Sequence, residues 1–300
     1  MSKSTISTFE LFAMFPDQET ARVYLEGRLW PNGVRCPVCG TGDRITTRKG
    51  GYYRCNQCKE DFTVRTGTIF ERSHVPLHKW IYAMYLLVTA RKGISSMQLA
   101  KEIGITQKSA WFLLQRLREA CGDKLDVLRG VVEVDEMYVG GKDSNRHAIK
   151  RKGVRTKTAV VGMREKNGKI VAMPVPDTGM HTLSAVIHNT VEMGATLHTD
   201  EYGSYALLGN DYEHQTVNHS KGQYAHNGVS TNGIESVWAV MKRGLHGVYH
   251  HVSEQHLHRY VDEFAFRLNE GNCQRHTLDR LESFVVNVAG KRLTYKALIQ

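Results

Sequence analysis

Three acidic residues stand where a purely structural sheet has no need of them. Asp135 lies in "VVEVDEMYVGG" (131–141), Asp200 follows the apolar lead-in "ATLHT", and Glu235 sits near the start of "STNGIESVWAVMKRG" (230–244). In the first run Val132 and Val134 alternate with Glu133 and Asp135, so the two-residue period of a strand puts the acids on the face opposite the valines. Asp200 falls at a strand end. Glu235 opens a helix whose Ile234, Val237, Trp238, Met241 and Leu245 form a buried stripe at three-four spacing. Two carboxylates from strands and one from a later helix can converge on two divalent cations through oxygen ligands. Such a pair of ions activates an attacking hydroxyl and stabilises the leaving oxygen in phosphoryl transfer. Blander readings stay open: Asn232 and Glu235 fit a capping pair, Asp200 a turn residue, and Asp135 an exposed strand position. Lys242, next to Arg243, shares a face with Glu235 seven residues earlier, which suits either a DNA phosphate or plain solvent.

The second constellation is sulfur. Cys36 and Cys39 are separated by two residues, as are Cys55 and Cys58, and fifteen residues lie between the pairs. Each pair makes a tight knuckle, and two knuckles complete a closed tetrahedral site for one structural Zn2+. Arg35, Arg44, Arg48, Lys49 and Arg54 surround it with Tyr52 and Tyr53 between, a decoration that suits either DNA contact or a solvated basic face. Cys121 and Cys273 stand alone and read as small buried residues.

Several elements must position these groups. Residues 9–29 repeat apolar residues at helical spacing; the cysteine section is rich in Gly, Thr and basic residues and reads as turns and short strands. From Pro76 to Cys121 the period is helical again, and "SSMQLAKEIGITQKSAWFLLQRLR" fits a helix-turn-helix. There Gly104 allows the turn, Thr106 caps the second helix, Trp111, Leu114 and Leu117 point inward, and Gln107, Lys108 and Ser109 face a major groove or, on the structural reading, solvent. Strand-like runs alternate with helices from 131 onward, and "SEQHLHRYVDEFAFRLNE" closes this section as an amphipathic helix.

Forty Lys plus Arg against thirty Asp plus Glu give a formal charge of +10 in 300 residues, which favours a polyanionic partner and nucleic acid first. Seven of the cations crowd into "GGKDSNRHAIKRKGVRTK", where Lys150, Arg151, Lys152 and Arg155 form a candidate clamp on DNA backbone or a solubilising loop. No run approaches the roughly 18 apolar residues of a membrane span, and the N-terminus lacks a secretory layout. The expectation is a cytoplasmic, nucleoid-associated protein without a membrane partner.

Taken in order, the cysteine quartet, the paired helices, "VEVDEMYVGGK", "LHTDEYGSY", "TNGIESVWAVMKRGLHGVYHHVS" and "HLHRYVDEFAFRLN" resemble DDE-type bacterial insertion-sequence transposases, in the zinc-ribbon, ISXO-like group related to the Merlin elements. The resemblance runs over nearly the whole chain. It implies a multidomain α+β protein: an N-terminal helical segment (1–32), a zinc ribbon (33–72), a helix-turn-helix section (73–125), a ribonuclease H-like mixed α/β catalytic domain (128–272) and a C-terminal tail (273–300). It further implies Asp135 and Asp200 as the first two catalytic carboxylates and Lys242 as the basic residue seven after the third. The group carries Glu or Asn at the third position. This chain has both Glu235 and Asn232, and Glu235 is favoured because a carboxylate binds a hard cation better than an amide and its spacing to Lys242 fits.

The implied reaction is phosphoryl transfer dependent on two Mg2+ or Mn2+ ions. Water cuts at the element's end, and the freed 3′-hydroxyl then attacks target DNA. The implied partners are double-stranded DNA, both the terminal inverted repeats and the target, and other copies of the chain, since two ends must be joined by a homodimer or higher oligomer. A sequence-specific regulator with a decayed catalytic fold and a stand-alone nuclease are the rival functions.

Overall fold

A computed structural model describes residues 5–122, 127–140, 157–218, 225–226, 228–271 and 274–300. The chain divides into two compact units, Met1–Gly122 with Glu270–Gln300, and Asp123–Asn269.

In the first unit α1 (Thr8–Met14) opens on a capping box between Ser7 and Glu10, and α2 (Gln18–Leu29) is capped by Asp17, whose Oδ1 accepts from Thr20 N at 2.8 Å. A three-stranded antiparallel ribbon follows, β1 (Ile45–Arg48), β2 (Tyr52–Cys55) and β3 (Asp61–Phe62). Trp30, Tyr53 and Phe62 fill its small core with edge-to-face and stacked rings, and Tyr53 donates its hydroxyl to Glu26 of α2 at 3.0 Å. Helix α3 (Leu77–Thr89) is buried along most of its length, as its nearly all-apolar sequence demands. Next come α4 (Ser96–Ile103) and α5 (Gln107–Glu119), capped by Ser95 and Thr106. Gly104 between them adopts a left-handed φ of 63°, which glycine reaches without strain.

The second unit is built on a five-stranded sheet. Its strands are β4 (Val131–Gly140), β5 (Lys157–Glu165), β6 (Ile170–Val175), β7 (Thr196–Thr199) and β8 (Glu213–Thr216), in spatial order β6-β5-β4-β7-β8. The β6-β5-β4 half is antiparallel, and β7 and β8 run parallel to β4. Helix α6 (Met180–Thr190) covers one face, packing Leu183 and Ile187 on Val132, Val134 and Val161. A short hairpin, β9 (Ala225–His226) and β10 (Val229–Ser230), leads into α7 (Asn232–Gly244). This helix and α8 (Glu254–Asn269) cover the other face, with Ile234, Trp238 and Phe264 against Met137 and Val160. The central strand β4 is therefore covered on both sides, and Glu133 and Met137, on the face opposite the valines, are buried as well.

From Glu270 the chain returns to the first unit. The segment expected as a tail carries α9 (Thr277–Val285) and α10 (Tyr295–Ile299), and Leu281, Phe284, Val285 and Val288 are fully buried. Ile69 N donates to Val288 O at 3.1 Å and Gly290 N to Gly67 O at 2.8 Å, so residues after β3, expected in the ribbon, pair instead with the C-terminal segment. Arg116 of α5 rivets the same region: its guanidinium donates to the carbonyls of Ile69, Glu71 and Leu293 at 2.9–3.1 Å. Among the described residues no helix is long and apolar enough to cross a membrane.

Candidate active site

Asp135 lies on β4 and Asp200 directly follows β7, the parallel neighbour of β4. Glu235 is in the first turn of α7. All three are partly exposed, so burial has not removed them from solvent or substrate. Their charges act on one another: burial first, then Asp200 and Glu235, push the Asp135 carboxyl up to about 6. Glu136, on the opposite face beside Tyr205, is pushed up to about 7 by burial and by Asp135 and Asp200. Carboxylate oxygens whose charges meet at Asp135 are the kind of donor that a hard divalent cation satisfies.

Asp135 Oδ2 accepts the indole N–H of Trp238 at 3.0 Å. Asp200 Oδ1 accepts Tyr202 N at 3.0 Å, closing a short turn at the end of β7. Thr231 donates its hydroxyl to Glu235 Oε1 at 2.9 Å. The capping pair expected of Asn232 and Glu235 does not form. Asn232 is the exposed first residue of α7, and the helix N-terminus is met instead by Glu133, whose Oε2 accepts from Ile234 N at 2.8 Å. Lys242 and Arg243 are exposed in the last turn of the same helix, where cations complement the helix dipole.

Next to Asp200 is a pair of tyrosines. Tyr138 on β4 and Tyr202 are 55% and 44% exposed, and the Thr178 hydroxyl stands between theirs at 3.1 and 3.2 Å. Their hydroxyls are tied together through Thr178 while both side chains remain exposed.

The four cysteines come together in the ribbon. The Sγ atoms of Cys36, Cys39, Cys55 and Cys58 all lie within 4.8 Å of one another, with Cys36–Cys58 and Cys39–Cys55 at 3.6 Å. A tetrahedral zinc with Zn–S bonds of about 2.3 Å needs sulfurs about 3.8 Å apart, and the quartet fits it. Both knuckles turn through a left-handed residue, Gly40 at φ 76° and Lys59 at φ 63°. Arg48 and Arg54 both pair with Asp61 at 3.3 Å, so part of the expected basic face is neutralised within the ribbon. Among the described residues this quartet is the one group of three or more such ligands whose atoms draw so close.

On α5, Gln107, Lys108 and Ser109 are exposed as expected, with Gln107 bonded to Ser96 and Lys108 lying 4.7 Å over the ring of Tyr295. Trp111, expected inward, is half-buried; Ala110, Leu113, Leu114 and Leu117 make the packed face. Lys150, Arg151, Lys152 and Arg155 lie outside the described residues, as does Cys273.

Comparison with known proteins gives the same partition. Residues 127–269 match the ISXO2-like transposase domain, and residues 16–61 match the transposase zinc-ribbon domain. An uncharacterized protein in transposable element ISH50 of Halobacterium salinarum is 30% identical over 258 residues, covering 79% of this chain and 86% of the relative. The chain belongs to the ISXO2-like transposase family. The transposase domain coincides with the unit built on the five-stranded sheet, and the zinc-ribbon match takes in α2, which the structure packs against the ribbon. In this transposase, sequence reasoning left Glu133, Glu136 and Tyr202 unassigned and read Trp238 as part of a buried stripe. The only signal for them was their adjacency to Asp135, Asp200 and Glu235.

Proposed function

We propose that this transposase binds the ends of an insertion sequence and catalyses DNA strand cleavage and strand transfer, with Asp135, Asp200 and Glu235 holding two Mg2+ or Mn2+ ions. One observation carries the reading: carboxylates from two adjacent parallel strands and one helix meet at Asp135, whose proton affinity burial raises first and Asp200 and Glu235 raise further. When bound, the ions supply an activated nucleophile and a stabilised leaving oxygen. Glu235 is preferred to Asn232 as the third ligand because its charge acts on Asp135 and its side chain is anchored by Thr231. Trp238 anchors Asp135 through Oδ2, and Lys242 with Arg243 takes the DNA backbone.

The order β6-β5-β4-β7-β8, antiparallel then parallel, supports a ribonuclease H-like catalytic domain. The αL turn at Gly104 and the exposed start of α5 support a helix-turn-helix that presents Gln107, Lys108 and Ser109 to DNA. The zinc ribbon, Lys150, Arg151, Lys152 and Arg155 add backbone contacts, and two copies join the two ends.

The test uses purified protein and labelled DNA carrying the gene's own flanks, with Mg2+ or Mn2+. Cleavage at a repeat boundary and joined products are expected, both lost in Asp135→Ala and Asp200→Asn while end binding persists. Cleavage retained by either variant overturns the assignment.

A further inference from the structure

Glu133 is a buried carboxylate, 7% exposed, that the chemistry above does not use. It sits two residues before Asp135 on the same face of β4, where a second metal ligand is the ready explanation, but one of its oxygens is already committed. Oε2 accepts the backbone N–H of Ile234, a group that the start of a helix otherwise leaves without a partner. Gly233 makes the approach possible, since a Cβ there would lie 2.4 Å from Oε2 and 2.9 Å from the carboxyl carbon.

Glu133 is flanked in register by Arg164 on β5 and His198 on β7, so the three form one row across the sheet beneath the entrance to α7. Each grips that entrance. Arg164 donates to Gly233 O at 2.7 Å and to the Ser236 hydroxyl at 3.0 Å. His198, 4% exposed, accepts Ser230 N at its Nδ1 at 3.3 Å. Residues 230, 233, 234 and 236 are thus pinned from three strands, and Glu235 lies among them.

We propose that Glu133, Arg164 and His198 are positioning residues: they fix the first turn of α7 against the sheet and so set Glu235 at its distance from Asp135. The inference rests on the reading of Glu235 as a ligand, and it assigns Glu133 to the backbone rather than to an ion. A first turn held by one strand alone would fray, as helix ends do, and would carry Glu235 with it.

The test compares the full-length protein with Glu133→Ala, Glu133→Gln and Gly233→Ala. The last keeps the carboxylate but drives it off the helix, and serves also if Glu133→Ala folds poorly. Hydrogen exchange of the amides of residues 232–236, Mn2+ affinity by electron paramagnetic resonance, and cleavage of end DNA are read together. For Glu133→Ala and Gly233→Ala we expect exchange faster by about tenfold or more, Mn2+ bound about tenfold more weakly, a lower kcat and unchanged DNA binding. Glu133→Gln, whose amide oxygen still accepts from Ile234, recovers most of each. Faster exchange with unchanged Mn2+ affinity makes Glu133 a helix cap and nothing more, and overturns the proposal. Glu133→Gln as defective as Glu133→Ala makes the charge itself the requirement and overturns it too. Failure of the unmutated protein to bind Mn2+ instead overturns the metal-site reading beneath it.

Discussion

Trp238 Nε1 donates to Asp135 Oδ2 at 3.0 Å, so the helix that carries Glu235 is tied directly to the strand that carries Asp135. Space for the indole comes from Gly162, which pairs with Asp135 in register on β5; a Cβ there would lie 2.4 Å from the ring. Trp238→Phe keeps most of the packing and removes the bond, and is expected to cost about 1 kcal/mol of stability and to slow end cleavage about tenfold or more. Gly162→Ala forces the ring aside and is expected to cost about 1–3 kcal/mol with the same loss of cleavage. Urea unfolding and a cleavage assay check both, and wild-type cleavage by either variant removes the tie from the mechanism.

Asp135 is a charge held where it is costly. Its folded value of about 6 lies above the roughly 3.9 of an unfolded Asp, so its ionisation opposes folding at neutral pH, and the penalty fades as pH falls from about 6 towards 4. Without divalent ions at pH 8, Asp135→Asn is expected to be more stable than wild type by about 1–3 kcal/mol. At pH 4.5 the gap narrows, and Mn2+ narrows it at pH 8 by stabilising the wild type alone. Chemical unfolding at the two pH values measures it; a variant less stable than wild type at pH 8 contradicts it.

Zinc should be integral to the ribbon. A core of Trp30, Tyr53 and Phe62 is small, and a structural zinc contributes about 10–16 kcal/mol of apparent binding free energy in small modules. Stripping the metal, or Cys36→Ser, is expected to release one equivalent by colorimetric assay and to raise proteolysis between residues 33 and 62, while the transition of the sheet unit persists in the same calorimetric scan. Resistance to proteolysis after zinc removal argues against it.

The exposed side chains of Tyr138 and Tyr202, the second bonded to Asp200 through its backbone, suit stacking on a nucleobase. Base–aromatic stacking contributes about 1–3 kcal/mol per base, so Tyr202→Ala is expected to weaken binding of DNA ends bearing an unpaired base by tenfold or more, and Tyr202→Phe to retain it. Fluorescence of 2-aminopurine at the unpaired position reads the contact directly. Equal quenching by the Ala variant excludes stacking.

His188 offers a pH test away from the active site. Its Nδ1 bonds to Ser184 O at 2.7 Å and its Nε2 to Asp211 at 2.9 Å, in that order the causes that raise its proton affinity. A raised value in the folded state contributes stability that is full below about pH 6.5 and is lost as pH rises through the folded value. The pair is about a third exposed, which limits the contribution to about 1 kcal/mol or less. His188→Gln should therefore destabilise more at pH 5.5 than at pH 8.5 in urea unfolding, and the reverse order refutes the linkage.

What sequence alone determined is what neighbours along the chain decide. The two cysteine pairs announce their knuckles because ligands two residues apart can meet only by a tight turn. Gly104 and Thr106 announce the turn between α4 and α5 because caps and turns act within four residues. Strand alternation put Glu133 and Asp135 on one face, which the register confirms. Tertiary structure decided the rest. The Glu133–Ile234 and Asp135–Trp238 bonds span 101 and 103 positions, and the space that Gly162 and Gly233 leave is read only against the side chain that fills it. The last thirty residues show the same limit: their helices carry an ordinary apolar stripe, and only packing shows that Leu281 and Phe284 bury it in the first unit. A local pattern states that a face will be covered, whereas its partner is fixed by non-local pairing, where a one-residue change of register would exchange Asp135 for Val134.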